Sequence, residues 1–463
     1  MRILKSLPAR LTKLLQLSLW GCLIGAASGI TVAHDFEEGV ALNNAGTLLE
    51  KRGQFQRAEI ALRESYSALQ KAGALDTSTA GLVLSNLALC AQEQGRYDEA
   101  RPLQEKAMAV IRESAGEESM EFAKALVNSA LFDFETANYP SALTKDRRAL
   151  QIENSLSAAR KADRALILNN LGLTMYQLGN SSEAEPLFFQ AISLYRGELG
   201  DPDGKLAEAL NNLASLERKA GRLEASRDHE LQALETVHAS HGDDRRLAAI
   251  WNNLGLIAVA RNKLRDAREL YAKAADAWLG TVGPNSPKYA LTLSNMAGLE
   301  AKRRHHKPAQ TLYEKALQID ESSLGPSHPQ VACDLENVAS QLFYMKDYGH
   351  AIALYQRAEA IQENWFGPDN MEVARTFRNI GVVYRASNQL EGASNAYRKA
   401  IAIFQDSARA EDPTLSVWLG EYAELLRKQN RFAEAEQADV RAIGIQVRNS
   451  LKAPRVETAF QAN

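Results

Sequence analysis

Along most of this chain apolar residues fall three and four positions apart, and no alternating strand-like run interrupts them. Residues 87–111, LALCAQEQGRYDEARPLQEKAMAVI, show the form: two helical stretches broken at Gly95. The same form recurs. With one asparagine as reference, copies are marked by Asn44, Asn86, Asn128, Asn170, Asn212, Asn253, Asn295, Asn337 and Asn379, and by Glu421 in a tenth. Every spacing is 42 residues except the 41 between Asn212 and Asn253, where the loop SHGDDRRLA is one residue shorter than ELGDPDGKLA before it. Small residues hold three further columns, at two, fourteen and twenty-one positions past the reference, such as Gly255, Ala267 and Ala274. Small side chains in register let helix backbones approach closely. Nine positions past the reference, seven copies carry Gly or Asn (Gly53, Gly95, Gly179, Gly221, Asn262, Asn388, Asn430). These residues accept the left-handed conformation that ends a helix. Each copy therefore predicts a first helix, a tight turn, a second helix and a longer loop. The expected fold is all-α: ten helical hairpins over residues 36–450, with no room for a separate catalytic domain and a tail at 451–463.

A period near 42 also suits WD40 blades, which need four strands per unit, and HEAT or armadillo repeats. The start Asn86-Leu87-Ala88 and the turn Gly95-Arg96-Tyr97-Asp98-Glu99-Ala100 resemble the tetratricopeptide repeat instead. The 42-residue length and loops such as LGPSHPQVA look like the kinesin light chain subfamily and its bacterial relatives. That resemblance implies a right-handed superhelical solenoid whose first helices line a concave groove, a non-enzymatic scaffold, and no cofactor. It also implies a role for the asparagines, as a ladder gripping the backbone of an extended peptide.

The physics suits that role. Asparagine in mid-helix costs about 0.5–0.7 kcal/mol against alanine, so nine in register cost about 5 kcal/mol that something must offset. A carboxamide offers both donor and acceptor, matching a peptide C=O and N–H whatever its sequence. Helices ~10 Å apart would each meet about three residues of a ligand rising ~3.3 Å per residue. The competing reading is structural: the same amides bond to neighbouring helix backbones. Positions on the same face would set specificity. Three past the reference stand Leu89, Leu131, Leu173 and Leu256; seven past it stand Glu93, Glu135, Lys219, Lys302 and Tyr344. An apolar floor followed by basic residues fits a ligand with apolar and acidic portions, and drift of a solvated face explains the same residues.

Some copies depart from the pattern. Eighteen past the reference the family favours an aromatic, as at Phe188, Tyr271, Tyr313, Tyr355 and Tyr397; Gln104, Asp146, Glu230 and Asp439 break the rule. Ser129 also replaces a large apolar residue in the third copy. Weaker packing is expected around copies two and three.

Residues 1–33 lie outside the repeats. Four basic and no acidic residues precede an uncharged stretch from Leu14 to Ala33, ending in small residues before His34. This is the pattern of a secretory signal, so an exported, periplasmic or secreted protein is expected. The alternative is an uncleaved anchor, since the stretch approaches the ~20 residues that span a bilayer. The whole chain has 54 basic and 57 acidic residues; without the leader 50 face 57, a net charge of −7. That argues against a nucleic-acid partner, which calls for a basic face. Three cysteines exclude a disulfide-stapled scaffold, and Cys90 and Cys333 fall six copies apart. The cluster His238, His241, Asp243 and Asp244 reads as a loop rather than a metal site, and Lys302–Lys307 as a solvated turn. No phosphate-binding, nucleophile-elbow or zinc-protease motif is present. The function expected is protein–protein interaction through a peptide groove; the alternative is a structural, self-assembling envelope component using convex or end surfaces.

Overall fold

The computed structural model describes residues 32–50, 54–156, 161–197, 204–239, 244–406 and 412–452. Among them are twenty helices and no strand, in ten consecutive pairs. They are α1 (32–50) with α2 (Phe55–Lys71), α3 (Ser78–Glu93) with α4 (Tyr97–Ala115), α5 (Met120–Glu135) with α6 (Tyr139–Ser155), and α7 (Lys161–Gln177) with α8 (Ser181–Gly197). Next come α9 (Lys205–Lys219) with α10 (Leu223–Ala239), α11 (Asp244–Ala260) with α12 (Leu264–Thr281), and α13 (Pro287–Lys302) with α14 (His306–Leu324). The last are α15 (Pro329–Tyr344) with α16 (Tyr348–Phe366), α17 (Met371–Ala386) with α18 (Leu390–Asp406), and α19 (Pro413–Lys428) with α20 (Phe432–Lys452). Most of the leader and the whole of the tail from 453 lie outside the described residues; α1 begins two residues before His34.

The two helices of a copy bury different amounts of themselves. Helix α4 buries one stripe, Ala100, Gln104, Ala107 and Ile111, as an outer helix does. Helix α3 buries Val83, Leu84, Leu87, Ala88, Cys90 and Ala91 on more than one face, because it is packed by its own partner and by the first helices and second helices of neighbouring copies.

All ten tight turns are built alike. The N–H ten positions past the reference bonds the C=O five past it, from Gln54 to Leu49 at 2.9 Å in the first copy to Arg431 to Leu426 at 2.9 Å in the last. This six-to-one bond needs a left-handed residue just before its donor. Gly95, Gly179, Gly221, Asn262, Asn388 and Asn430 supply it, and so do Ala137, Arg304 and Lys346, which sequence did not single out. Gly53 lies outside the described residues. First helices open on side-chain caps: Thr77, Ser119, Ser286, His328, Asn370 and Asp412 each accept a backbone N–H. His328 is thus a cap, with its ring 5.9 Å from that of Trp365.

Inside a copy, the small column two past the reference meets the large column eighteen past it. A methyl on Gly255 would stand 2.5 Å from Cε1 of Tyr271, and one on Gly172 would stand 2.9 Å from Phe188. Gly46 meets Leu62 and Gly381 meets Tyr397 in the same way. The copies without a large apolar residue there, with Gln104, Asp146, Glu230 and Asp439, all carry alanine in the small column. Three of those polar residues bond across to the next copy. Gln104 reaches the Ala125 carbonyl at 3.4 Å, Asp146 accepts from Thr174 at 2.8 Å, and Glu230 accepts from Asn253 at 2.9 Å. Each partner lies on the next copy's first helix. Ser129 is likewise buried and accepts from Lys145 at 2.8 Å.

The chain divides into two compact units, Met1–Tyr289 and Ala290–Asn463. In the first, apolar clusters run from Phe55 to Cys90, from Ile111 to Ile167 and from Ala165 to Ile250. In the second, a large cluster runs from Ala297 to Ile445 and a smaller one from Val331 to Ile361.

Candidate functional site

The reference asparagines stand on the first helices, Asn44 exposed and the other eight half-buried. The amides of Asn86, Asn128, Asn212 and Asn253 tie neighbouring copies together, side chain to side chain. Asn86 Nδ2 donates to Asn43 Oδ1 at 3.0 Å and lies 3.2 Å from Thr47 Oγ1. Asn128 donates to Ser85 Oγ at 3.0 Å, and Asn212 to Asn169 Oδ1 at 3.1 Å. Asn253 Nδ2 lies 2.8 Å from Asn211 Oδ1, 3.0 Å from Ser215 Oγ and 2.9 Å from Glu230 Oε1. The acceptor is repeatedly the residue just before the reference in the preceding copy. Val127 occupies that place ahead of Asn170, whose Oδ1 instead accepts from Asn169 at 3.4 Å. In the tenth copy the polarity reverses: Glu421 accepts from Arg378 of the ninth, with Nε at 2.9 Å. Asparagine pairs such as Asn211-Asn212 carried the signal for this column, which sequence reading missed.

Burial raises the Glu230 carboxyl well above its ordinary range, against the lowering effect of the Asn253 hydrogen bond. Burial likewise pushes Asp146 up to about 7, against the hydrogen bond from Thr174.

Leu89, Leu131 and Leu173 stand half-buried three positions past Asn86, Asn128 and Asn170, and Leu256 stands likewise past Asn253. Lys219 and Lys302 are exposed. The Lys219 ammonium lies 5.0 Å from the centre of the Tyr176 ring, reaching back to the preceding copy. Exposed Tyr344 stacks on His306 with ring centres 4.9 Å apart. Around Lys302, Glu300 binds both Arg303 at 2.9 Å and His305 at 2.7 Å, so the basic turn is partly neutralised. His241 and Asp243 lie outside the described residues.

The acidic residues of the same face, Glu93 and Glu135, have partners within the chain. Within the first unit, Lys288 Nζ, at the start of α13, lies 2.9 and 2.7 Å from the two oxygens of Glu93, at the end of α3. Arg245 stands 3.9 Å from Glu93, donates to the Glu50 carbonyl at 3.3 Å, and covers the Phe55 ring at 4.9 Å. Val282 packs into the Phe55 cluster beside them. Turn edges of the first two copies thus meet the starts of the first helices of the sixth and seventh, along a charged seam. Burial alone would raise Glu93; the Lys288 and Arg245 charges overcome it and hold the carboxyl below its usual range. Glu135, which accepts from Tyr97 at 2.9 Å, is pushed up by burial despite Lys288.

Family models described as the tetratricopeptide repeat match residues 121–197, 205–278, 246–322, 289–364 and 330–406, and a second such model matches 82–119. Together they span more than half of the sequence. This chain belongs to the tetratricopeptide repeat family. Among solved structures, this repeat protein is similar to BtubC (BKLC) from P. vanneervenii, at 23% identity and a TM-score of 0.41, covering 49% of this chain and 89% of that one. It is also similar to kinesin light chain repeats of Podosopora anserina, at 18% identity and a TM-score of 0.41, covering 45% and 98%. A STAND signal transduction ATPase from Pyrococcus horikoshii with a tetratricopeptide repeat sensor aligns over 90% of this chain and 64% of its own, with a TM-score of 0.55 and 14% identity. That likeness is one of fold. No curated protein matches this repeat protein. None of its described helices is long and apolar enough to cross a membrane.

Proposed function

We propose that this chain is an exported, non-enzymatic scaffold that docks an extended peptide segment of another protein on the face of its first helices. The observation that carries the reading is the row Leu89, Leu131 and Leu173. These half-buried leucines stand on three consecutive first helices, each beside a half-buried asparagine. An inter-copy bond uses one amide N–H, and the carboxamide's further hydrogen-bonding capacity suits a peptide backbone. The leucines supply apolar contact, and exposed Lys219 supplies a site for an acidic side chain. Glu93 and Glu135 belong to the seam and take no part. Affinity would accumulate from bonds each worth about 1 kcal/mol net, on a surface already ordered by the stack.

Selection from a random peptide library against the purified chain tests this. Binders should lose at least about tenfold in affinity, about 1.4 kcal/mol, to the pair Leu131→Glu and Leu173→Glu with little change in melting. Binders indifferent to that pair would refute the first-helix face. Export is tested separately by N-terminal sequencing of the protein recovered from producing cells: His34 as first residue supports it, and an intact Met1 in the membrane pellet identifies an anchor.

A further inference from the structure

Fifteen large apolar side chains are exposed among the described residues, and five of them sit on the last helix pair. On α20 these are Phe432 (64% exposed), Val440 (65%), Ile443 (57%) and Val447 (50%), with Val417 (56%) on α19. The four on α20 fall on one face of that helix. The repeat pattern does not require this. Where the tenth copy has Val440, six earlier copies carry Arg63, Glu105, Arg147, Glu314, Gln356 and Arg398, and three carry Phe189, Leu231 and Ala272; where it has Val447, eight carry polar residues such as Gln70, Arg112, Arg196 and Glu363, and one carries Leu279. Ile443 belongs to a column that packs against core elsewhere, as Met108, Leu150, Leu234 and Leu317 do.

The spacing has a heptad form. Ala433, Val440 and Val447 repeat every seven residues, and Glu436, Ile443 and Ser450 fall three positions after them, all exposed. We propose that this stripe pairs α20 with the α20 of a second copy of the chain, antiparallel, giving a two-fold symmetric dimer. Symmetry requires one patch to match itself. In the antiparallel register Val440 of one copy meets Ile443 of the other, twice, at the centre. Glu436 then lies over Val447 of the second copy and beside its Arg448, so opposite charges flank the apolar centre. A parallel pairing would set Glu436 against Glu436, which repels. The stripe is distinct from the leucine row, and the inference does not depend on peptide docking.

Sedimentation velocity on the full chain over a roughly hundredfold concentration range decides it. The expected result is a reversible monomer–dimer equilibrium. Val440→Glu and Ile443→Lys should each weaken association at least about tenfold, about 1.4 kcal/mol, with unchanged helicity and melting. Glu436→Arg should also weaken it, and adding Arg448→Glu should restore it. A monomer at every concentration would overturn the proposal and leave the stripe to residues 453–463 or another protein. A dimer indifferent to Val440→Glu would overturn it too, placing the contact elsewhere.

Discussion

At the scale of single residues, the tight turns show how strongly the stack imposes itself. A left-handed residue with a side chain costs roughly 1–2 kcal/mol, and Ala137, Arg304 and Lys346 bear that cost where other copies use glycine or asparagine. Their backbone still closes the same six-to-one bond, Lys346 preceding Asp347, whose N–H meets the Leu342 carbonyl at 2.9 Å. Lys346→Gly should therefore stabilise the protein by about 0.5–1 kcal/mol, less than the full strain because glycine adds unfolded-state entropy. A denaturant midpoint that falls instead would show that the Lys346 side chain contributes something the turn does not reveal. The asparagine column was plain in the sequence at this scale, yet its bonds were not. Periodicity locates Asn212 on a helix face; only the offset between neighbouring helices reveals that its amide meets Asn169 of the copy before.

Between elements, the junctions follow two chemistries. One packs a ring against a glycine, as Tyr271 does with Gly255, and that pairing is legible from columns of small and large residues. The other buries polar groups, and it shows in sequence only as a break in the aromatic rule. Asp146 and Glu230 break that rule and are bonded links to the next copy. A third buried acidic junction joins α14 and α15 in the second unit. Asp320 and Asp334 are both buried and interact with each other, with Ser294, Gln330 and Tyr313 around them and Glu321 adding negative charge. Burial, then their mutual interaction, pushes Asp320 up to about 9; burial pushes Asp334 up to about 6. Folding therefore takes up protons here. The stability this contributes is full below the ordinary carboxylate value of about 4 and is lost as pH rises through 6 and on towards 9. Asp320→Asn, which keeps a neutral donor, should raise the melting temperature at pH 8–9 and change it little at pH 4–5. Equal effects at both ends would rule out a shared proton at this junction.

For the molecule as a whole, ten copies, their helical pairs and their length follow from one period, because a solenoid's contacts are mostly between neighbours. The seam does not. It joins Glu93 to Lys288 across 195 residues, and nothing periodic marks either as a partner. Sequence reading assigned Glu93 and Glu135 to the ligand-facing surface, whereas Lys288 and Arg245 hold Glu93 inside the first unit. Lys288→Met leaves two carboxylates without their main counter-charge and should destabilise that unit by about 1–3 kcal/mol, less than a deeply buried pair because the ammonium keeps some solvent contact. Wild-type stability should fall as salt rises towards 1 M, and that salt dependence should shrink in the variant. Because Glu93 is held below its usual range, the seam's contribution is present at neutral pH and is lost as the solution is acidified through the folded-state value. Melting that is indifferent to Lys288→Met would show that the seam closes on apolar contacts such as Val282 against the Phe55 cluster.

The most direct test of the central claim is a crystal structure of the chain with its tightest library-selected peptide. The account predicts an extended peptide across α5, α7 and α9, its side chains on Leu131 and Leu173 and its backbone within hydrogen-bond distance of Asn170 or Asn212. A peptide seated on the second helices, or on the α20 stripe with the first-helix face bare, would contradict it.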